Sequence, residues 1–164
     1  MSAVLKNERL LLPMTTLQLD TVTEIESLVY PFPWTRGNFV DSLAAGYPAQ
    51  VLYGGSGEML GYFVAMEGVD EMHLLNITVA PRVQGRGHGR FMLDELCALC
   101  RDRGAKQLWL EVRESNDRGR AIYERYGFQR VGLRRRYYPA DRATHPDGRE
   151  DAIVMSLQTT EVTR

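Results

Sequence analysis

The spacing of apolar residues changes along the chain, and each change marks the border of a predicted element. Helical spacing predicts helices over residues 15–29, 36–45, 88–103 and 117–126. Alternating or short continuous apolar runs predict strands over residues 9–13, 50–54, 59–68, 71–79, 106–113 and 150–157, with a further strand from Phe128 to Pro139. The glycine-rich stretch 54–58 predicts a hairpin between two of these strands. The pattern therefore predicts an α+β (mixed α/β) fold in which a sheet leads into a loop and a helix.

Two predicted helices carry an apolar stripe that we expect to face the core. The residues of the first stripe are Leu19, Val22 and Ile25, with Leu28 and Val29 as further candidates. In the helix 88–103, Cys97 and Cys100 share the inward face with Leu93 and Leu96. A redox or zinc site needs a Cys-x-x-Cys at a helix start or further ligands, and the three histidines of the chain are scattered. Buried reduced thiols and the absence of a metal are therefore expected.

Length and composition favour one domain. The chain has 164 residues, of which 44% are hydrophobic, and its formal net charge is −1. We expect a single domain over residues 1–158 with a flexible tail over residues 159–164. No apolar run approaches the roughly 20 residues of a membrane span, and no signal-peptide pattern begins the chain. We therefore expect a cytoplasmic protein.

The most informative stretch runs from Asn76 to Arg90. A strand stopped by Pro81 is followed by a glycine-rich turn that opens a helix, where several backbone N–H groups can point outward and bind phosphate. Arginines at positions 82, 86 and 90 add positive charge. The dinucleotide fingerprint is excluded because Arg90 replaces its third glycine, and the Gly-Lys-Ser/Thr of a P-loop is missing. An ordinary strand-to-helix turn with incidental glycines is the alternative.

A second set of candidates follows that helix. Glu111 places a carboxylate within an otherwise apolar strand, which costs stability unless the group is paired or useful; a salt bridge to an arginine is the alternative to a chemical role. Asn116 and Tyr123 are seven residues apart and so lie near one helix face. Two further candidates, Phe32 and Trp34, lie earlier in the chain and are bracketed by prolines. They either fill space in the structure or line a substrate groove.

Nine short segments carry a resemblance to a known family: Phe32-Pro-Trp34, Asn76-Ile-Thr-Val79, Gln84 to Arg90, Leu108 to Arg113, Ser115-Asn116, Ala121-Ile-Tyr-Glu124, Tyr126-Gly-Phe128, Arg135 to Pro139 and Asp147 to Ala152. Together these segments resemble the RimI-type ribosomal-protein alanine N-acetyltransferases, a branch of the GNAT superfamily. The glycine loop indicates the superfamily, and the Phe-Pro-Trp, Tyr-Tyr-Pro and Gly-Arg-Glu-Asp-Ala segments indicate the branch.

The resemblance implies a GNAT fold, whose central, mostly antiparallel twisted sheet of six to seven strands splays at the cofactor site and is flanked by about four helices. It implies acetyl-coenzyme A as co-substrate, Glu111 as general base and Tyr123 as general acid. The implied cofactor-binding residues are Ile77, Thr78, Val79, Gln84, Gly85, Arg86, Gly87, His88, Gly89, Arg90 and Asn116. The implied acceptor-groove residues are Phe32, Trp34, Tyr137 and Tyr138.

The implied acceptor is the α-amine of an N-terminal alanine of a small-subunit ribosomal protein. The stretch 140–146 is longer than is usual for the family, so an enzyme for another protein N-terminus, a lysine or a small amine is the second hypothesis. The third is a non-enzymatic module that binds RNA or the ribosome through arginines 134–136, although the aromatics of RNA-binding motifs are absent. We expect a monomer with no membrane partner and no direct nucleic-acid role.

Overall fold

The computed structural model describes residues 8–161. Its strands are β1 (Arg9–Pro13), β2 (Ala49–Gly54), β3 (Met59–Glu67), β4 (Glu71–Val79), β5 (Gln107–Arg113), β6 (Gln129–Pro139) and β7 (Arg149–Gln158). Its helices are α1 (Leu19–Val29), α2 (Arg36–Ala44), α3 (His88–Asp102) and α4 (Asp117–Tyr126). Short 3-10 turns cover Thr16–Gln18, Pro81–Val83 and Thr159–Glu161. The predicted mixed α/β class, strand count and helix count are confirmed.

Seven strands form one sheet in the order β1-β2-β3-β4-β5-β7-β6. The pairs β1–β2, β2–β3, β5–β7 and β6–β7 are antiparallel. The chain divides into two compact units. The first holds the described residues up to Glu67 together with Leu74–Leu96, and the second holds Gly68–His73 and the described residues from Cys97 onward.

The first unit is built around aromatic rings. The ring of buried Phe39 lies 5.1 Å from that of Trp34 and 5.9 Å from that of Tyr62, measured between centroids. Local capping fixes where α2 starts: Thr35 accepts a hydrogen bond from Asn38 N. The unit therefore fixes Trp34, a predicted groove residue, against its core.

The predicted stripe of α1 is correct at Leu19, Val22 and Ile25, which are all buried. It is wrong at Leu28, which is 70% exposed. The buried stripe of the helix passes instead to Glu26, a residue that an apolar pattern overlooks.

The second unit has an aliphatic core between β5 and β7. Leu108, Leu110 and Val112 of β5 stand opposite Leu157, Met155 and Ile153 of β7. Cys97 and Cys100 are buried and reduced, as expected. Thr159, at the start of the expected tail, is buried and donates from Oγ1 to Ala105 O at 2.6 Å. Residues 162–164 of that tail lie outside the described residues, and the expectation of a single domain stays a prediction.

No helix among residues 8–161 is long and apolar enough to cross a membrane.

Candidate active site

The glycine loop at the start of α3 has the geometry of an anion-binding turn. Gly85 and Gly87 have φ angles of +80° and +85°, which a side chain would strain. Gln84 closes the turn by donating from Nε2 to Val79 O at 3.2 Å. The helix begins at His88 with no acidic residue in its first turn. Its first N–H groups have no acceptor within the helix, so they are available to an anion.

Positive charge surrounds this loop. Arg9 of β1 donates to Arg86 O at 3.1 Å, and its guanidinium lies 5.0 Å from the centroid of the Phe91 ring. Partial burial and the charges of Arg9 and Arg86 lower the pKa of His88 below its usual value. Arg9 was not predicted from the sequence, because it precedes its hydrogen-bond partner by 77 residues.

A buried polar network in the first unit supports the C-terminal end of strand β4. Glu26 accepts hydrogen bonds from Tyr62 OH at 2.7 Å and from Asn76 Nδ2 at 3.1 Å. Asn76 in turn accepts from Thr78 Oγ1 at 2.8 Å, and Tyr30 OH lies 2.8 Å from the same Thr78 oxygen. Burial raises the pKa of Tyr30 to about 12, so its hydroxyl stays protonated. The Thr78 side chain is therefore committed to the interior of the unit.

The same glutamate holds the predicted aromatic loop. Trp34 N donates to Glu26 Oε2 at 3.0 Å, while the Trp34 ring packs on Phe39. Phe32 is 43% exposed. The contacts of Trp34 favour a structural role for that residue. The exposure of Phe32 is compatible with a place in the lining of a substrate groove.

Glu111 occupies the centre of a cluster in the second unit. Its side chain is 5% exposed, and its Oε1 lies 2.6 Å from His73 Nε2. Arg134 Nε approaches its other oxygen, Oε2, at 2.9 Å. That approach has the distance of an ion pair without the angles of a hydrogen bond, and within the described part of the chain Oε2 has no hydrogen-bond partner. The salt-bridge alternative is thus present, yet one oxygen can still accept a proton.

Helix α4 presents the other predicted catalytic residue. Asn116 caps this helix by accepting from Gly119 N at 2.9 Å. Tyr123, two turns later, is half-buried and packs edge-on against Phe128, with ring centroids 5.6 Å apart. Burial, followed by the charge of Glu111, raises the pKa of Tyr138, and Tyr123 also contributes to that rise. Tyr138 therefore lies within electrostatic reach of both Glu111 and Tyr123.

An irregularity in β6 sets the direction of the two predicted groove tyrosines. The register of β6 against β7 shifts between Arg134 and Tyr138, and Arg136 has φ of +53°. Asp151 Oδ1 accepts from Arg136 N at 2.8 Å, and Arg149 donates to Tyr137 O at 3.0 Å. No sequence pattern predicted this bulge, because a positive φ at arginine is uncommon.

The buried carboxylate of Glu150 holds Arg113, and Arg113 in turn packs on the ring of Tyr138. Glu150 accepts from Ser115 N at 2.8 Å and from Arg113 Nη1 at 3.1 Å. The Arg113 guanidinium lies 4.5 Å from the centroid of the Tyr138 ring. Burial alone would raise the pKa of Glu150, but the hydrogen bonds from Ser115 and Arg113 together with the arginine charge lower it below its usual value.

Among residues 8–161, no group of three or more His, Cys, Asp or Glu side chains is arranged to hold a metal ion.

Comparison with known proteins identifies the family. The profile of the acetyltransferase (GNAT) family matches residues 19–128. The chain belongs to the GNAT acetyltransferase family. This GNAT chain is 38% identical, over 144 residues, to the [ribosomal protein bS18]-alanine N-acetyltransferase of Escherichia coli K12, which covers 88% of this chain and 93% of the relative. The [ribosomal protein bS18]-alanine N-acetyltransferase of Haemophilus influenzae is 35% identical over 137 residues, covering 84% of this chain and 90% of the relative.

Solved structures agree with this assignment. The crystal structure of the E. coli ribosomal-protein-S18-alanine N-acetyltransferase superposes on this GNAT chain with a TM-score of 0.82 at 36% identity, covering 93% of this chain and 94% of the other. Ard1 from Thermoplasma volcanium, at 21% identity and a TM-score of 0.77, covers 92% of this chain and 97% of its own and shares the fold. The identification of the chain as a GNAT N-acetyltransferase of the RimI type is confirmed.

Proposed function

We propose that this enzyme transfers an acetyl group from acetyl-coenzyme A to the α-amine of an N-terminal alanine, and that its acceptor is a small-subunit ribosomal protein. The similarity to bS18-alanine N-acetyltransferases over 88% of the chain supports the acceptor class. The observation that carries the chemistry is the buried carboxylate of Glu111, which has one oxygen without a hydrogen-bond partner among the described residues. A base for an amine needs such an oxygen.

We assign the cofactor to the glycine loop and the end of β4. Gly85, Arg86, Gly87, His88, Gly89 and Arg90 hold the pyrophosphate, and Gln84 belongs to the same cofactor loop. The backbone of Ile77, Thr78 and Val79 binds the acetyl and pantetheine end, and Asn116 contacts the pantetheine arm. The positive φ angles of the loop and the helix start behind it support this role. The charge of Arg9 adds to the attraction for phosphate.

The acceptor amine must be neutral to attack the thioester. An α-amine with a reference pKa of about 7.7–8.0 loses its proton more readily than a lysine at about 10.4, a difference of roughly 3.4 kcal/mol. Glu111 takes this proton at Oε2, directly or through water. The C–N bond forms, and a backbone N–H near Val79 stabilises the tetrahedral oxyanion.

The C–S bond then breaks, and Tyr123 protonates the leaving thiolate. Transfer from a tyrosine at about 10 to a thiolate at about 8.5 is uphill by roughly 2 kcal/mol, so the surroundings of Tyr123 must favour it. In this proposal Tyr137, Tyr138 and Phe32 contact the acceptor, whereas Trp34, which packs on Phe39, supports the loop that carries Phe32. Their support is the bulge that fixes both tyrosines and the exposure of Phe32.

Intact-mass detection of acetyl transfer tests the proposal. One peptide begins Ala-Arg with a free α-amine; its control has a blocked N-terminus and an added lysine. We expect acetylation of the first peptide only. Glu111→Gln should lower turnover by about 100-fold or more, the usual contribution of a general base. Tyr123→Phe should lower turnover while acetyl-coenzyme A affinity stays near that of the wild type; unchanged turnover would remove the acid role.

A GNAT enzyme for a different amine is the second candidate. The observation that favours it is the stretch 140–148, which forms an ordered loop: His145 N donates to Asp141 O at 2.8 Å, and Ala140 N donates to Gly148 O at 2.9 Å. Acetylation of the lysine in the blocked peptide would select this candidate. Acetyl-coenzyme A binding without transfer to either peptide would direct the search to small amines.

An RNA-binding module finds less support. Arg134 is paired with Glu111, and Arg136 Nε lies 3.3 Å from Asp147 Oδ2. These carboxylates reduce the net charge that the arginines present to a phosphate backbone.

A further inference from the structure

Four side chains from β4 and β5 follow one another on one face of the second unit, and we call them the Glu71–Glu111 ladder. Trp109 Nε1 donates to Glu71 Oε2 at 2.9 Å. The Trp109 ring is stacked on His73, with centroids 3.6 Å apart and planes 11° from parallel. His73 Nε2 then meets Glu111 Oε1 at 2.6 Å. The ladder therefore runs from a carboxylate that anchors it to the carboxylate assigned as general base.

The hydrogen bond between His73 and Glu111 has one direction. An ionised carboxylate can only accept, so Nε2 must carry the proton that lies between the two groups. His73 Nδ1 is buried and has no hydrogen-bond partner among residues 8–161. A second proton on Nδ1 would leave a buried N–H unpaired, which is costly. His73 therefore fits this place as the donor to Glu111, with its ring held by the indole.

Because of the contact with His73, the two carboxylate oxygens of Glu111 have different surroundings. Oε1 is held by the imidazole, so the carboxylate cannot rotate freely. Oε2 faces Arg134, whose side chain is 48% exposed. The charge of Glu111 also raises the pKa of two tyrosines of β6, Tyr137 and Tyr138, after the larger effect of their burial. Of these groups, only His73 combines burial with a hydrogen bond to Glu111 in the described structure.

We propose that His73 is the positioning residue for Glu111. By donating from Nε2 to Oε1, it holds the carboxylate so that Oε2 receives the proton of the acceptor amine, while Trp109 and Glu71 fix the plane of the imidazole. This inference rests on the proposed function, because it presupposes Glu111 as the base. His73 itself neither gains nor loses a proton in the reaction.

A matched pair of variants tests the proposal. Glutamine and methionine have similar length and volume, but only His73→Gln keeps an N–H near the place of Nε2, whereas His73→Met has no donor. We expect His73→Met to lower kcat for the Ala-Arg peptide by about 10-fold or more, part of the total contribution of a positioned base. His73→Gln should recover most of kcat. The affinity for acetyl-coenzyme A, measured by calorimetry, should stay within about 2-fold of the wild type in both, because the cofactor is assigned to other residues.

Trp109→Phe supplies a second line of evidence if methionine prevents folding, which thermal unfolding would detect. It keeps a ring over His73 but loses the bond to Glu71, so kcat should fall below that of the wild type while acetyl-coenzyme A affinity stays the same. An unchanged kcat in Trp109→Phe would contradict the positioning role. Equal kcat in wild type and His73→Met, or equal losses in the Met and Gln variants, would overturn the positioning role. Full activity of Glu111→Gln would instead overturn the proposed base. The two failures are therefore distinguishable.

Discussion

Gly61 of β3 is the position where one added methyl group should disturb both the fold and the end of β4, which we proposed above as part of the cofactor site. A Cβ built there lies 2.4 Å from Thr78 O, 3.0 Å from Met92 Cε and 3.3 Å from Val79 Cα. Real Cβ contacts essentially never fall under 3.0 Å, so Gly61→Ala must force the methyl group and the carbonyl oxygen apart. The methionine end can rotate away. The carbonyl cannot, because Ala80 N is bonded to Leu60 O at 2.8 Å beside it.

The expected cost follows from this geometry. Overpacking a well-packed interior typically costs about 1–3 kcal/mol, and a clash with backbone belongs near the upper end. In a chain of this size, a loss of about 2 kcal/mol lowers Tm by about 4–8 °C. Because the displaced atoms belong to Thr78 and Val79, acetyl-coenzyme A affinity should fall as well.

Urea unfolding and calorimetric titration with acetyl-coenzyme A measure the two effects. Gly37→Ala is the control, because a Cβ there meets only Thr35 Oγ1 at 3.6 Å within a helix. Alanine is a better helix former than glycine by about 1 kcal/mol, so this variant should be neutral or slightly more stable. A Gly61→Ala protein as stable as the control would refute the packing argument. Lost stability with unchanged affinity would refute the assignment of this strand to the cofactor.

Three further predictions concern hydrogen-bonded side chains. The lowered pKa of Glu150 means that its ionised form stabilises the fold above about pH 4.5, and that this contribution is lost as pH falls through the folded pKa. The difference in unfolding free energy between wild type and Glu150→Gln should therefore be smaller at pH 3 than at pH 7. An equal difference at both pH values would contradict this prediction. Glu26→Ala leaves three donors without their acceptor and should cost about 3 kcal/mol or more in urea unfolding, whereas Glu26→Gln, which keeps one acceptor, should cost less. In Gly119→Ala the new Cβ lies 2.5 Å from Asn116 Nδ2, so Asn116 should no longer cap α4, which lowers the unfolding free energy by about 1 kcal/mol. Asn116→Ala should cost the same amount, and the double variant should cost no more than either single one.

Local signals in the sequence were sufficient for the elements. Thr35 and Gly104 stand where a helix must start or stop, and the hydroxyl cap and the φ of +74° found there require no distant partner. Most borders therefore agree within one residue. Leu28 was misassigned because apolar periodicity cannot recognise a buried glutamate, and Glu26 takes the inward position through donors on other elements.

The partners of the candidate base could not be predicted in the same way. The sequence indicated an arginine partner for Glu111, and Arg134 provides one. His73 precedes Glu111 by 38 residues. Their contact depends on the alignment of strands, which hydrophobic alternation does not specify between elements far apart in the chain. The contact of Arg9 with the glycine loop could not be predicted for the same reason.

The Gly-Arg-Glu-Asp-Ala segment has a structural explanation that bears on specificity. Its three charged residues all bind backbone: Arg149 holds the carbonyls of Arg136 and Tyr137, Glu150 holds Ser115 N, and Asp151 holds Arg136 N. These contacts fix the bulge from outside the stretch 140–148. That stretch is closed by its own bonds, such as Ala140 N to Gly148 O. An insertion there can therefore change what lies beside the tyrosine pair while the tyrosines stay in place. This arrangement is for that reason compatible both with the chemistry proposed for Glu111 and with a different acceptor sequence.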